Sequence, residues 1–477
     1  MKKVLTLVDF KTPHKPRSYA NAVINPHHLF TPQQRLKAAR KAGWNVFQFP
    51  SERLQGGDLL SDSGTTILTV EQFAAMIEAD EAYGNNWGYE QLLSACGTAF
   101  GITVNRSRIY LFHQCRRAED ELYSHLKGDN LIVPSNSFFD TTRANAEANG
   151  IEALDLPDTS VYDFKGNIDL VKLKKILKER KGSVPFVLMT ITNNTGGGQP
   201  ASMKNLKAAY KLAHAHGVSL LLDACRFAEN AWFIQKNEKA YERWSIPKIV
   251  HKMFSLCDVF TISFKKDGLA NMGGALVIKK NAPLFRKQRS LAEELYDHQI
   301  LTEGHHTYGG LSGRDIMTIV KGLPYVVTNQ YLDGRIAQVY DFGQYLKRLG
   351  IPIVEPIGGH AVYIDIDKFF AGTKMRREDF GGIVLCALLL LKGIRLCELG
   401  AFAFGKYDPG TGKETLPERN YVRAAVPRNK YERDDLYYVA DCIKELYDRR
   451  HELPKAVPVY GKEKALRHFK ARFELKY

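Results

Sequence analysis

Two lysines, Lys265 and Lys266, stand between a strand-like run, Val259 to Phe264, and the pair Gly273-Gly274, which leads into a second run, Ala275 to Ile278. Upstream, the apolar segment Leu220-Leu221-Leu222 ends in Asp223, followed by Ala224, Cys225 and Arg226. Each feature has an ordinary reading: lysines at strand ends are commonly solvated turn residues, and a carboxylate there can cap a helix or pair with a cation. Together they match the needs of a pyridine-ring cofactor. Pyridoxal phosphate acts as an electron sink only while its ring nitrogen is protonated, and a buried aspartate sustains that proton. It also requires a lysine amine for a Schiff base, and backbone N–H groups, hydroxyls or arginine for its phosphate.

Two more segments fit. The loop Thr192-Asn193-Asn194-Thr195-Gly196-Gly197-Gly198-Gln199-Pro200 allows close backbone approach to a ligand, although a glycine run is by itself a weak signal. The segment His113-Gln114-Cys115-Arg116-Arg117 opens a helix with basic residues, which alone is no more than a basic helix start.

The elements that must position these residues alternate between strand and helix. Apolar runs at Arg108–Phe112, Asn130–Val133, Pro185–Ile191, Val218–Leu222 and Val259–Phe264 are separated by helical periods, the clearest running from Met203 to His216 between Ser202 and Gly217. This order predicts an α/β fold with a mostly parallel sheet covered on both faces and a ligand at the carboxyl ends of its strands. Beyond residue 330 long charged helices surround one strand-like block, Ile351 to Ile366. A large domain over 56–329 and a smaller α+β domain over 1–55 and 330–477 are expected.

The 477 residues, 44% of them hydrophobic, suffice for more than one core. Seven scattered cysteines without a Cys-x-x-Cys pair argue against a disulfide framework and a structural zinc site, and for a reducing compartment. The run Met1 to Val8 is cut off by Asp9 and Lys11, and the longest other apolar run, Ile383–Leu391, is too short to span a bilayer. A cytoplasmic protein without a membrane partner is expected. Lys and Arg number 67 against 52 Asp and Glu, but the excess of 15 is spread along the chain. That distribution favours anion-binding pockets over a nucleic-acid surface.

Several ordered segments carry a resemblance that covers most of the chain: Ala42–Phe47, Leu60–Thr65, Asp80–Tyr83, His113–Glu119, Phe138–Thr142, Asn194–Pro200, Asp223–Asn230, Lys265–Asp267, Tyr308–Asp315, Ile353–Val362 and Leu466–Phe469. The sequence resembles the β-eliminating lyases that use pyridoxal phosphate, the tryptophan indole-lyase and tyrosine phenol-lyase family. The resemblance implies a fold-type I transferase-like architecture, a small-molecule amino acid substrate, a potassium ion and a homotetramer. It implies Lys266 as the Schiff-base lysine, Lys265 as a cation near the phosphate, Asp223 at the ring nitrogen, and Arg226 and Asn194 at the phenolic oxygen. Phe139 would stack on the ring, and Ser61, Gln114, Cys115, Arg116 and Ser263 would hold the phosphate. Arg423 would bind the substrate carboxylate, Tyr83 would protonate the leaving ring, and Gly64, Glu81 and Asn271 would bind potassium.

On substrate, phenol-lyases carry an arginine in a Glu-Arg-Gly segment where this chain has Glu398-Leu399-Gly400, and a threonine where it has Asp140. His468 likewise matches the indole-lyases. The resemblance therefore implies L-tryptophan converted to indole, pyruvate and ammonia, with tyrosine or another β-substituted amino acid as the alternative. Three departures stand out. Cys115 and Arg117 replace glycines of the family, and Phe264 replaces a small residue, changes that could reshape the phosphate cradle or narrow the pocket.

Overall fold

The computed structural model describes Pro26 and residues 28–477, so the run Met1 to Val8 lies outside the described residues. Seven strands form the central sheet: β1 (Ser107–Phe112), β2 (Ile132–Ser135), β3 (Glu152–Asp155), β4 (Phe186–Thr190), β5 (Ser219–Asp223), β6 (Val259–Ser263) and β7 (Gly274–Lys279). Their order is β1-β7-β6-β5-β4-β2-β3. Neighbours from β6 through β3 pair parallel, whereas β7 is antiparallel to both β6 and β1.

Side chains alternate across the pleat. Val187, Met189, Leu220, Leu222, Phe260 and Ile262 enter one apolar cluster, while Phe186, Leu188, Leu221 and Val259 enter another on the opposite face. Burial on both faces explains the near-continuous apolar runs of β4 to β6. The expected strands are present to within a few residues. The edge strand β3 had no such signal, because Glu-Ala-Leu-Asp is half exposed and carries no apolar run.

The helix Met203–Ala215 begins where Ser202 accepts a hydrogen bond from the Asn205 amide and ends with His216 at its C-cap. Gly217 then takes φ +66°, a left-handed turn that returns the chain to β5.

A second group of apolar residues gathers around Val339, Phe342, Leu385, Val422 and Ile443, and takes in Ala39, Val46, Phe49 and Leu54 from the start of the chain. Within it β8 (Ala361–Asp365), β9 (Cys397–Leu399) and β10 (Tyr421–Ala425) form an antiparallel sheet in the order β8-β10-β9. The expected block from Ile351 to Ile366 is strand only over β8. Pro352, Pro356, Gly358 and Gly359 interrupt the rest, and Ile353 makes an isolated bridge to Ile364. The helix Asn329–Arg348 belongs to both cores: Tyr331, Leu332 and Ile336 pack toward the first, and Val339, Phe342 and Leu346 toward the second. Among the described residues no helix is long and apolar enough to cross a membrane.

Candidate active site

β1, β4, β5 and β6 all end at one edge of the sheet, because β1 is antiparallel to β7, which is itself antiparallel to β6. There they enclose a cleft of about 540 Å³ of empty volume, partly open to solvent. Gln114, Cys115, Arg116, Phe139, Asn194, Asp223, Arg226, Ser263, Lys265 and Lys266 all line it. The sequence reading placed each of these ten around one cofactor.

Asp223, at the tip of β5, is 5% exposed. Among the described residues its carboxylate accepts one long hydrogen bond, from the Cys225 amide at 3.4 Å, and forms no ion pair. A buried carboxylate without a cation is costly, and a protonated ring nitrogen is the partner its chemistry calls for. Lys266 opens onto the same cleft. Burial pulls its ammonium down, but Cys225, Cys115 and Asp223 outweigh burial and hold it above its usual value. Lys265 moves the other way, lowered by burial and by Lys266 and Arg116. Glu119, also on the cleft wall, was given no role by the sequence reading. Burial and the Asp223 charge push its carboxyl up to about 8, and the Thr142 hydroxyl donates to it at 2.8 Å.

The far wall begins at the helix Cys115–Ser124, whose N-cap Gln114 makes no side-chain cap and whose first turn has no acidic residue. Its first N–H groups, with Arg116 alongside, form an anion site of the kind a phosphate occupies. Ser263 adds a hydroxyl. Ser61 differs from expectation: its Oγ accepts from the Ser63 amide at 3.1 Å, and Ser63 lines the cleft in its place.

Asn194 is fixed from the other core. His360 Nε2 and the Tyr363 hydroxyl lie 2.9 and 2.6 Å from its Oδ1, and Arg423 Nη1 donates to the same oxygen at 3.2 Å. His360, buried and close to Arg226, is held well below its usual value, so it is neutral, while the Tyr363 hydroxyl and Arg423 both donate to Oδ1. The amide orientation follows, and Nδ2 is left as the donor for the cleft. Arg226 is bound to Asp62, with Nε to Oδ2 at 3.0 Å and Nη2 to Oδ1 at 2.7 Å, which leaves Nη1 for a ligand.

Below this lies a buried ion network the sequence reading missed. Arg428, fully buried, donates to Asp62 (2.9 Å), Glu229 (2.9 Å) and Asp267 (2.7 Å), and Arg335 reaches Glu229 at 3.3 Å. Three carboxylates thus meet three guanidiniums, Arg226, Arg335 and Arg428. Burial would raise Asp62, but the guanidiniums of Arg226 and Arg428 hold it well below the carboxylate range, whereas burial and Glu229 push Asp267 up to about 6. Asp62 lies inside a segment singled out in the sequence, Leu60–Thr65, yet nothing local marks an ion pair that forms only when distant segments meet.

The remaining predicted residues divide. Asp140 and His468 come together, Oδ2 to Nε2 at 3.4 Å, both buried, with His468 Nδ1 lacking a partner. Arg423 sits behind Asn194, its Nη2 donating to the Leu60 carbonyl at 2.9 Å. Leu399 is buried with Tyr363 and Cys397. Tyr83 is 64% exposed, packs against Tyr308 and does not line the cleft. The Asn271 amide donates to the Gly64 carbonyl at 3.2 Å, but Glu81 is paired with Arg314. Of the three departures only Cys115 faces the cleft. Arg117 turns toward Asp120, Glu121 and Glu303, and Phe264 is buried in the core.

The architecture is that of the fold-type I pyridoxal-phosphate enzymes: serine palmitoyltransferase from S. paucimobilis matches with a TM-score of 0.57 at 12% identity, over 83% of this chain and 88% of that one. At the level of sequence, the family model for β-eliminating lyases matches residues 58–442. A probable tryptophanase of Aeropyrum pernix is 39% identical over 97% of this chain and 98% of its own length. A tyrosine phenol-lyase of Lacrimispora saccharolytica is 35% identical over 97% of each chain. The chain belongs to the β-eliminating lyase family, and it is a pyridoxal-phosphate-dependent lyase.

Proposed function

We propose that this lyase acts on L-tryptophan and releases indole, pyruvate and ammonia. The observation that carries the choice of ring is the Asp140–His468 contact, whose Asp140 follows the cleft residue Phe139 in the chain and whose His468 Nδ1 is unpartnered. A polar pair of that kind can engage a ring N–H.

Pyridoxal phosphate, when bound, supplies the electron sink that lets the α-proton and then the β-substituent depart. The chain's own residues do the rest. Asp223 holds a proton on the ring nitrogen, and Asn194 Nδ2 and Arg226 Nη1 donate to the phenolic oxygen. Gln114, the Cys115 amide, Arg116, Ser263 and Ser63 hold the phosphate, with Lys265 adding positive charge. The Lys266 amine takes the α-proton. Arg423 orients the substrate carboxylate. An aromatic carbon leaves poorly until protonated, and Tyr83 supplies that proton. Its position on the surface fits a role in the cleft of a neighbouring copy, so the reading includes a homotetramer. A potassium ion held by Gly64, Glu81 and Asn271, division at about residues 55 and 330, and a cytoplasmic location complete it.

Indole and pyruvate should appear together when tryptophan is added to the cofactor-loaded protein. Faster release of phenol from tyrosine would overturn the choice of ring. Borohydride reduction followed by peptide mapping should place a pyridoxyl group on Lys266; attachment at Lys265 would overturn that assignment.

A further inference from the structure

We infer that Cys115 and Cys225 form an oxidisable dithiol, a modification site in the wall of the cleft, at which a peroxide-class oxidant makes a disulfide that bars cofactor uptake. It rests on the reading of this cleft as the cofactor's seat.

The two sulfurs lie 3.8 Å apart although the residues come from different elements, Cys115 from the start of the helix after β1 and Cys225 from the loop after β5. All seven cysteines are free and buried, and these two line the cleft. Small oxidants that enter the cleft therefore meet both thiols. Basic groups surround them, with Arg116, Lys265 and Lys266 on the same walls. The neighbouring Cys225 thiol and burial push the Cys115 thiol well above its usual value, so the reaction is slow at neutral pH.

The chemistry balances with hydrogen peroxide as the two-electron acceptor. One thiolate attacks a peroxide oxygen, the O–O bond breaks, and a sulfenic acid forms with release of water. The second thiol attacks that sulfur, the S–O bond breaks, and the S–S bond forms with a second water. Two thiols lose two electrons and two protons in all.

Closing the pair from 3.8 Å to about 2.05 Å requires one or both residues to move. Cys115 cannot swing toward β7, because its amide packs directly on Gly274, where even a Cβ would collide with it. Closure therefore draws the helix N-terminus and the loop between Asp223 and Arg226 toward each other. These supply the anion site and the acidic partner of the ring nitrogen, and both need sub-ångström placement. A bound cofactor fills the space the oxidant needs and protects the pair.

The test treats the cofactor-free full chain with hydrogen peroxide, then maps disulfides without reduction and measures pyridoxal phosphate uptake by absorbance. Two thiols should disappear, one Cys115–Cys225 cross-link should form, and uptake should fall at least about tenfold and return with dithiothreitol. Cofactor-loaded protein should lose thiols at least about tenfold more slowly. The variant Cys225→Ala, or Cys225→Ser if the first does not fold, should form no cross-link and keep its uptake after peroxide. A different cross-link, oxidation of one thiol without a bridge, or uptake unaltered by the bridge would overturn the inference. The cross-link map is independent of the cofactor reading, whereas absence of uptake before any oxidation would count against that reading instead.

Discussion

Replacing Arg428 by methionine tests the buried network most directly. The substitution keeps an unbranched chain of similar length but removes hydrogen bonds to Asp62, Glu229 and Asp267 at 2.7 to 2.9 Å. Three buried carboxylates would then face two guanidiniums. Removing one partner of a buried ion pair costs about 3–5 kcal/mol. With an unfolding entropy of about 1 kcal/mol per kelvin for a chain of this length, that is a fall in midpoint of about 3–5 °C. The loss should depend on pH. Burial and Glu229 already raise Asp267 to about 6, and without Arg428 it rises further. An acid whose folded value exceeds its unfolded one contributes stability that is present at low pH and lost as pH rises through the folded value. The gap between variant and parent should therefore be wider at pH 8 than at pH 5.5, where Asp267 is mostly neutral in both. Calorimetry at the two pH values measures it. A midpoint within 1 °C of the parent at pH 8, or a larger loss at pH 5.5, would refute the reasoning.

Two further variants bear on the cleft. Glu119 has its carboxyl raised from 4.5 to about 8, so Glu119→Gln, which mimics the neutral form and keeps an acceptor for Thr142, should match the parent's midpoint only near pH 4, where the carboxyl is neutral in both folded and unfolded chains. It should exceed the parent by a margin that grows from about pH 4.5 to about pH 8 and then levels off, and a difference that does not change across that range would reject this. The double change Asp140→Thr and His468→Phe should lower kcat/KM for tryptophan by about 10²-fold while leaving tyrosine within a few fold. An equal fall for both substrates would show that the pair serves folding rather than ring choice.

The fold was legible because β4 to β6 are buried on both faces and so read as unbroken apolar runs. The cleft was legible because such a sheet gathers its loops at one edge, so Asp223, Asn194 and Lys266 had to meet. What escaped was decided by contacts between distant segments. Asp62 and Arg428 are far apart in the chain, and no local pattern pairs them. Glu119 looked like one more acidic residue on a helix, and its raised value comes from Asp223 across the cleft. Ser63 lines the cleft, whereas Ser61 does not and accepts from the Ser63 amide, a local turn that residue type does not reveal. Tyr83 was recognised by type and segment, and neither says which surface a side chain will reach.

Asn194 stands on the loop after β4, yet three groups of the other core, His360, Tyr363 and Arg423, decide where its amide points. It works like a compass needle: the pivot belongs to one body and the field to the other. If the segment bearing β8 and β10 shifts by even a fraction of an ångström, the donor that Asn194 offers to the cleft turns with it. The electronic state of whatever the cleft holds is thereby tied to the posture of the smaller core.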